Sequence, residues 1–114
     1  MDKISLIIPT YNRGHLLKNS LERLTHLTFP DEVLIIDDGS NDNTKAIVKS
    51  FEGRLPMRYI YQHNPNWSIS SMAKNIGIKN TDADIIIHAE PEVLFVTDII
   101  KQFVEFHHEF PNTI

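Results

Sequence analysis

The sequence predicts an α/β fold in a single domain over residues 1–114, with a mostly parallel sheet of four to five strands and helices on both faces. Two observations predict it. Short, β-branched apolar runs alternate along the chain with longer segments whose apolar residues recur at helical spacing. Polar turn residues follow each apolar run, and this strand–helix order is typical of parallel strands joined by right-handed helical crossovers.

Each predicted strand is a short apolar run bounded by turn residues. The first run is expected to end at Pro9, because proline has no amide hydrogen to donate to a sheet. The second leads into an acidic turn at Asp37 and Asp38, where Gly39 permits a positive φ. The predicted strands, in chain order, are residues 4–8, 33–36, 57–61 and 85–87.

The predicted helices are recognised by apolar residues three or four positions apart. Ser40 or Asp42 is expected to cap the second helix. The helices are expected at 12–28, from the turn at 37–44 to Gly53, at 68–79 and at 97–110. The side chains expected to face the sheet from the first three helices are Leu17, Leu21, Leu24, Ile47, Phe51, Met72 and Ile76.

Composition excludes several classes of function. The net charge is −4 and no basic run occurs, so nucleic acid is not an expected partner. The absence of cysteine excludes disulfides and thiolate chemistry and is consistent with a reducing, cytoplasmic location. No signal peptide or transmembrane segment is expected, because no apolar run approaches the ~20 residues of a membrane span. The glycine-rich phosphate loops and the Gly-x-Ser-x-Gly elbow are absent as well.

Acidic residues follow two of the predicted strands, where ligands bind in open α/β sheets. Asp37 and Asp38 could be a turn with a helix cap, or one carboxylate could cap the backbone while the other accepts from a nucleobase or ribose. Glu90 and Glu92 could lie on a solvated loop. Alternatively, their spacing places both on one side of an extended segment, where carboxylates and substrate phosphates together suit Mg²⁺ or Mn²⁺.

Two further clusters are candidates for the same site. The segment from Pro9 to Arg13 is either a strand end entering a helix or one wall of a base pocket. Lys74 and the residue after it are either solvated or face a phosphate group. The candidate nucleotide-binding residues are Pro9, Thr10, Tyr11, Arg13, Asp37, Asp38, Lys74 and Asn75.

Together, the order and spacing of four motifs resemble family 2 glycosyltransferases, which have the Rossmann-like GT-A fold. The motifs are residues 4–13, 32–44, 73–77 and 85–92, so the resemblance covers roughly residues 3–95. It implies a UDP-sugar donor, Mn²⁺ or Mg²⁺ on the diphosphate, and transfer of the sugar to a hydroxyl group of an unknown acceptor, such as a carbohydrate, or its hydrolysis.

The resemblance also implies roles for individual residues. Pro9, Thr10 and Tyr11 would contact the base and ribose. Asp38 would accept a hydrogen bond from the uracil imide. Lys74 stands where the family commonly has arginine, facing the nucleotide. These roles place the nucleotide across the carboxyl ends of the strands.

The sequence departs from the family pattern in two places. Glu90 and Glu92 replace an Asp-x-Asp metal motif, with Glu92 at the main ligand position, and each side chain is one methylene longer. In addition, the acceptor-binding half, which normally follows the metal motif and supplies the catalytic base, is expected to be absent. No catalytic residue is therefore assigned, although an inverting, metal-dependent transfer by a minimal or truncated enzyme is expected.

Alternatives remain open on the sequence alone. One is a nucleotide-sugar-binding module without transfer activity that needs a partner. A more distant one is a receiver-like signalling domain, although its acid pair should follow the first strand rather than the second. A homodimer formed through apolar surface around Phe95, Phe103 or Phe106 is also expected, because exposed apolar patches commonly meet a partner.

Overall fold

The structure of the chain is a computed structural model. It describes residues 3–28, 30–62, 70–91, 101–102, 105–106 and 109, and the side chains of residues 70–74 lie outside that description. The elements in chain order are β1 (Ile4–Thr10), α1 (Gly14–Leu24), β2 (Glu32–Asp37), α2 (Thr44–Ser50), β3 (Met57–Tyr61), α3 (Ser70–Lys79) and β4 (Ile85–His88). The alternating order of strands and helices predicted from the sequence is confirmed.

All strand pairs are parallel, and the strands lie in the order β3-β2-β1-β4. The chain first builds the sheet outward from β1 to β3 and then crosses to the other side of β1, so the order reverses beside β1. Thr10 pairs with Asp37, and Asp37 pairs with Tyr61, at the carboxyl ends of the three strands. Such a reversal point is where open α/β sheets bind ligands.

The two faces of the sheet are covered by different helices, as predicted. On one face, here called the α1–α2 face, side chains such as Leu6 and Val33 pack with Leu21 of α1 and Val48 of α2. On the opposite face, the α3 face, a smaller cluster is formed by Ile7, Leu34 and Ile36, with Ile60, Ile76 and Ile86 packed against it. Helices on both faces are expected when βαβ units form a parallel sheet.

The predicted end of the first strand at Pro9 is wrong, because β1 continues through Pro9 to Thr10. The carbonyl groups of Ile7 and Thr10 accept hydrogen bonds from Ala89 and Asp38, which lie on opposite sides of β1. Since alternate residues of a strand face the same neighbour, the nitrogen of Pro9 faces the β4 side, just past the end of β4. Its missing amide hydrogen therefore interrupts no hydrogen bond inside the ladder.

A separate polar cluster closes the amino ends of the strands. The amide of Ile4 donates to Asp31 at 2.8 Å, and the buried Glu32 accepts from the Ser5 hydroxyl at 3.1 Å and from Arg58 at 3.3 Å. These acids have partners within the protein, so we assign this edge a structural role.

Residues 101–102, 105–106 and 109 are helical, as predicted for the last segment. No helix in the described ranges is long and apolar enough to cross a membrane.

Candidate functional site

The two adjacent acids at the end of β2, Asp37 in the strand and Asp38 directly after it, lie on opposite faces of the sheet. Successive side chains of a strand alternate between faces, and Ile35 belongs to the α1–α2 face whereas Ile36 belongs to the α3 face. The alternation places Asp37 on the α1–α2 face and Asp38 on the α3 face. Both are almost fully buried, with exposed fractions of 1% and 5%. The repulsion expected between adjacent carboxylates is reduced because they point apart.

Asp37 holds the turn that follows β2. One carboxylate oxygen accepts the amide hydrogen of Ser40 at 2.9 Å, and the other accepts the hydroxyl hydrogen of Tyr59 on β3 at 2.5 Å. Gly39, which lies in this turn just before Ser40, has a φ of 101°, a conformation that glycine adopts without steric cost. Burial, followed by the hydrogen bond to Asp37 and its charge, raises the pKa of Tyr59 above its ordinary value.

The raised pKa of Tyr59 predicts a loss of stability at alkaline pH. Above about pH 10 the unfolded chain loses the tyrosine proton while the folded chain keeps it, so the free energy of unfolding falls as pH rises. In Tyr59→Phe this contribution is missing. We expect the free energy of unfolding, measured by urea titration from about pH 9 to 11, to fall more steeply in the wild type. Equal slopes would contradict the raised pKa of Tyr59.

Asp38 is held by the strands on both sides of it. Its amide donates to the Thr10 carbonyl at 2.9 Å, which continues the pairing of β1 with β2. Its carboxylate accepts a hydrogen bond from the side-chain amide of Gln62 at 2.5 Å. The main-chain amide of Gln62 in turn donates to the Asp37 carbonyl at 2.9 Å. This bond fixes the backbone position from which the Gln62 side chain extends. The position of Asp38 is therefore defined by the last residue of β1 and the first residue after β3.

Asn12 joins the loop after β1 to the acidic turn. Its amide donates to the Ser40 hydroxyl at 2.8 Å, and its side-chain oxygen accepts from the amides of Asn41 at 2.9 Å and Asp42 at 3.3 Å. Its φ is 51°, the one positive value among the described residues other than glycine. Asparagine tolerates this region better than most residues. The side chain of Asn12 thus fixes the loop that carries Tyr11.

Asp42 holds the starts of two helices together. One oxygen accepts the amide hydrogen of Gly14 at 3.1 Å, and the other accepts the amide of Thr44 at 3.0 Å. Partial burial opposes ionisation, but hydrogen bonds from Thr44 and Gly14 hold the pKa of Asp42 below its usual value. The predicted caps of α2 are wrong, because Asn43 occupies the cap position without a side-chain hydrogen bond. Asp42, one residue earlier, bonds the first residue of the helix, and Ser40 accepts from the loop after β1.

Replacing Asn12 separates its backbone conformation from its side-chain contacts. Asn12→Gly keeps the positive φ but loses the hydrogen bonds to Asn41 and Asp42, and we expect a loss of about 0.5–1.5 kcal/mol in the free energy of unfolding. Asn12→Ala loses the same contacts and adds backbone strain, for a further ~1 kcal/mol. Thermal and urea unfolding of both variants test this. An alanine variant as stable as the glycine variant would contradict the strained conformation.

The segment from Pro9 to Arg13, predicted to form one wall of the base pocket, lies beside the acidic turn. Pro9 and Thr10 are buried, whereas Tyr11 is 38% exposed and Arg13 is exposed. Within the described part of the chain, the Thr10 hydroxyl is the one buried side-chain oxygen or nitrogen without a hydrogen-bond partner. Buried polar atoms normally have such a partner. This segment therefore offers an aromatic ring and an unsatisfied hydroxyl on the strand next to Asp37.

The segment after β4 is anchored on both sides of Glu90. The amide of Ala89 donates to the Ile7 carbonyl at 3.0 Å, and the carbonyl of Pro91 accepts from the Ser20 hydroxyl of α1 at 2.7 Å. Glu90 itself is exposed. Glu92 lies outside the described residues, and the described residues contain no group of three side chains able to hold a metal. The structure thus places one of the two predicted metal ligands at the carboxyl end of β4.

Helix α3 brings the remaining candidates toward the sheet. Gly77 is buried against Ile7, where an added Cβ would lie only 2.7 Å from the Ile7 Cγ2 atom. Lys74 lies about one turn earlier on the helix, and its side chain is outside the description. Asn75 is exposed. The motif glycine therefore has a packing reason: it allows the helix that carries Lys74 to approach the central strand.

The structure brings Thr10, Asp37, Asp38 and Tyr11 together at one edge and places Glu90 at the end of the other strand adjoining β1. The sequence interpretation missed the residues that hold this edge, namely Asn12, Tyr59 and Gln62. The available signals were the tolerance of asparagine for a positive φ and the presence of polar residues within and directly after the third apolar run.

Comparisons with known proteins agree with the fold. Residues 5–113 match the family described as Glycosyl transferase family 2. A validoxylamine A glucosyltransferase of Streptomyces hygroscopicus subsp. limoneus is 34% identical over 107 residues, which cover 91% of this chain and 23% of the relative. The chain therefore spans about a quarter of the length of that relative.

Solved structures are similar over most of the chain. Residues 1–349 of TarS of S. aureus superpose with a TM-score of 0.84 at 24% identity, covering 94% of this chain and 32% of that fragment. A TarS structure in complex with UDP-GlcNAc has a TM-score of 0.80. The mannosyltransferase PcManGT of Pyrobaculum calidifontis, in complex with GDP-Man and Mn²⁺, has a TM-score of 0.73 at 19% identity, covering 85% of this chain and 29% of that protein. At these identities the likeness shows the GT-A fold.

Proposed function

The chain belongs to glycosyl transferase family 2, and from that premise we propose that it binds a UDP-sugar across the carboxyl ends of β1, β2 and β4. The observation that carries the proposal is the buried carboxylate of Asp38, fixed between β1 and β3 at the carboxyl-end edge of the sheet, on the strand next to the one beside which the strand order reverses. A TarS structure with UDP-GlcNAc supports the choice of ligand.

In the proposed complex, the candidate residues contact the base, the nucleoside and the diphosphate. Asp38 accepts the imide hydrogen of uracil, and the ring of Tyr11 stacks on the base. The unsatisfied hydroxyl of Thr10 bonds the nucleoside. Asp37 acts through the turn, since hydrogen bonds from Ser40 and Tyr59 occupy its two oxygens. Pro9 belongs to the wall of the base pocket. Arg13, Lys74 and Asn75 would contact the diphosphate.

The residues present fit a divalent cation. Mg²⁺ and Mn²⁺ prefer oxygen ligands and are commonly held by one or two carboxylates together with substrate phosphates, so a cluster of three protein ligands is not required. Glu90 presents one exposed carboxylate at the end of β4, and its backbone is held on both sides. Glu90 and Glu92 would hold the ion, which would neutralise the diphosphate leaving group. The structure of the mannosyltransferase PcManGT, which is similar in fold and is in complex with Mn²⁺, supports this assignment.

The proposed reaction moves the sugar from the UDP-sugar to an acceptor hydroxyl, or to water, with inversion at the anomeric carbon. The contribution of this chain is to bind and orient the donor, because no described residue is assigned as the base that would take the acceptor's proton. The chain covers 23% of its relative's length, so the relative's activity does not carry over to it directly. That these 114 residues transfer the sugar by themselves is therefore a proposal.

The second candidate is a nucleotide-sugar-binding module without transfer activity. The specific observation in its favour is that the described site residues suit a donor nucleotide, while none of the described residues is assigned as the base that transfer requires. The expected homodimer stays a prediction: Phe106 is 50% exposed, whereas Phe95 and Phe103 lie outside the described residues. The expected cytoplasmic location also stays a prediction.

Two measurements test the proposal in sequence. Isothermal titration with UDP, with and without MnCl₂, is expected to give saturable binding that Mn²⁺ tightens. No heat in either titration, together with no shift in melting temperature, would contradict the binding function. UDP release from UDP-glucose and UDP-GlcNAc is then measured with candidate acceptors. UDP binding without release would favour the binding module over the transferase.

A further inference from the structure

Ser20 is a polar residue on the buried face of α1. The other buried residues of this helix are a glycine and three leucines, and Ser20 is only 2% exposed. A buried polar group is costly unless it forms a hydrogen bond. The Ser20 hydroxyl donates to the carbonyl oxygen of Pro91 at 2.7 Å, and Pro91 lies 71 positions later in the chain. This hydroxyl therefore ties α1 to the segment that follows β4.

The contact with Ser20 is one of two that enclose Glu90. On the other side, the amide of Ala89 donates to the Ile7 carbonyl at 3.0 Å, which continues the pairing of β4 with β1. Ala89 also packs against the cluster on the α1–α2 face, and Pro91 is buried. The residue before Glu90 is thus held by β1, and the residue after it is held by α1.

The two contacts set the direction in which the Glu90 side chain leaves the backbone. Side chains alternate between the faces along β4, with Ile86 on the α3 face and Ile87 and Ala89 on the α1–α2 face. By this alternation Glu90, which is exposed, points to the α3 face. Asp38 points to the same face at the end of β2. Because β1 lies between β2 and β4, the two acids flank β1 on one side of the sheet.

We propose that Ser20 is a positioning residue for the divalent cation, because its hydrogen bond keeps the carboxylate of Glu90 on the face where Asp38 lies. The inference rests on the proposed function, in which Glu90 is a metal ligand and Asp38 faces the base. A carboxylate whose backbone is already fixed binds a cation at a smaller entropic cost than a mobile one. Removing a group that orients a metal ligand commonly lowers metal affinity by about 10- to 100-fold.

The test uses Ser20→Ala, which removes the hydroxyl and little volume. The affinity for UDP is measured calorimetrically without metal and at a series of MnCl₂ concentrations. We expect the Mn²⁺ concentration that gives half of the tightening to rise about tenfold in the variant. This is the lower end of the range, because Ser20 bonds the residue next to the ligand. The affinity for UDP without metal is expected to match that of the wild type, so a general loss of structure would be recognised.

Ser50→Ala is the matched control. Ser50 lies on α2, and its hydroxyl also donates to a main-chain carbonyl, that of Ile47 in its own helix, at 2.6 Å. The control is expected to need the same Mn²⁺ concentration as the wild type. A second variant, Ser20→Cys, keeps a donor of similar size, but a thiol donates more weakly than a hydroxyl. Its Mn²⁺ requirement is expected to lie between those of the wild type and Ser20→Ala.

A further measurement needs no variant. Mn²⁺ is paramagnetic and broadens the amide signals of the residues nearest to it most strongly. In the ¹⁵N-labelled wild type with UDP, replacing Mg²⁺ by Mn²⁺ is expected to broaden the signals of Ser20, Ala89 and Glu90 more than those of Lys3 and Ser50. If Lys3 and Ser50 broaden as much, the inference is overturned, whether or not the variants fold.

The outcomes separate this inference from the function on which it rests. A wild type that does not bind UDP contradicts the proposed function and the inference with it. A wild type that binds UDP equally well with and without Mn²⁺ overturns the metal assignment and the role of Ser20, but not UDP binding.

Two outcomes overturn the role of Ser20 alone. One is an unchanged Mn²⁺ requirement in a folded Ser20→Ala variant, and the other is a loss of UDP affinity that is equal with and without Mn²⁺. A raised Mn²⁺ requirement in Ser20→Ala supports that role, provided that the metal-free affinity for UDP and the Ser50→Ala control are unchanged.

Discussion

Asp38→Asn is expected to weaken binding of UDP by about 10- to 100-fold, the equivalent of losing a hydrogen bond to a charged group. Asparagine has the same shape, but it replaces one carboxylate oxygen by a donor, which would meet the imide hydrogen of the base or the amide of Gln62. The measurement is calorimetric titration of UDP at fixed salt and fixed Mn²⁺ concentration.

Asp82→Asn is the matched control for this substitution. Asp82 is exposed and pairs with Lys3 at the amino-end edge of the sheet, and such surface pairs contribute little to stability. The control is expected to bind UDP as the wild type does. If Asp38→Asn and Asp82→Asn bind UDP equally well, the acidic turn is not the base site. Circular dichroism and melting curves of both variants show whether each is folded.

Gly77→Val is expected to lower the free energy of unfolding by about 2–3 kcal/mol, the upper part of the range for overpacked cores. A Cβ at this position would lie 2.7 Å from Cγ2 and 3.0 Å from Cδ1 of Ile7. Ile7 is fully buried on the central strand, so it has little room to move. The loss would be a large part of the 5–15 kcal/mol typical of a small domain. Urea titration measures it.

Gly53 provides the control for the glycine substitution. A Cβ there would meet no atom within 4 Å, so Gly53→Val is expected to stay within about 0.5 kcal/mol of the wild type. A double-mutant cycle with Ile7→Ala then identifies the contact. Gly77→Val should cost less in that background, because the atoms in its way are gone. The same cost in both backgrounds would contradict close packing against Ile7 as the cause.

The fold could be predicted from the sequence because its signals are local. Alternating apolar runs and helical spacing predicted four parallel strands and helices on both faces, and all are present. The alternation through residues 33–36 also contains the reason why Asp37 and Asp38 point apart. The end of β1 was missed at Pro9, because the cost of a proline depends on which neighbour its nitrogen faces, and only the sheet order decides this.

The residues that support the site could not be predicted, because their roles depend on the register between strands. Tyr59 and Gln62 reach the two acids only because Asp37 pairs with Tyr61, and one sequence does not determine that pairing. Asn12 depends likewise on contacts with a turn about thirty residues later. The proposed contacts of Lys74 and Glu92 stay predictions from the family motifs.

The central claim, that UDP binds at the carboxyl ends of the strands, is tested most directly by amide chemical shifts. UDP is titrated into the ¹⁵N-labelled chain and the shift of each assigned amide is followed. The largest changes are predicted at Tyr11, Asp38 and Gln62, with little change at the opposite edge around Lys3 and Glu32. Changes concentrated at that opposite edge, or no changes at saturating UDP, would contradict the account.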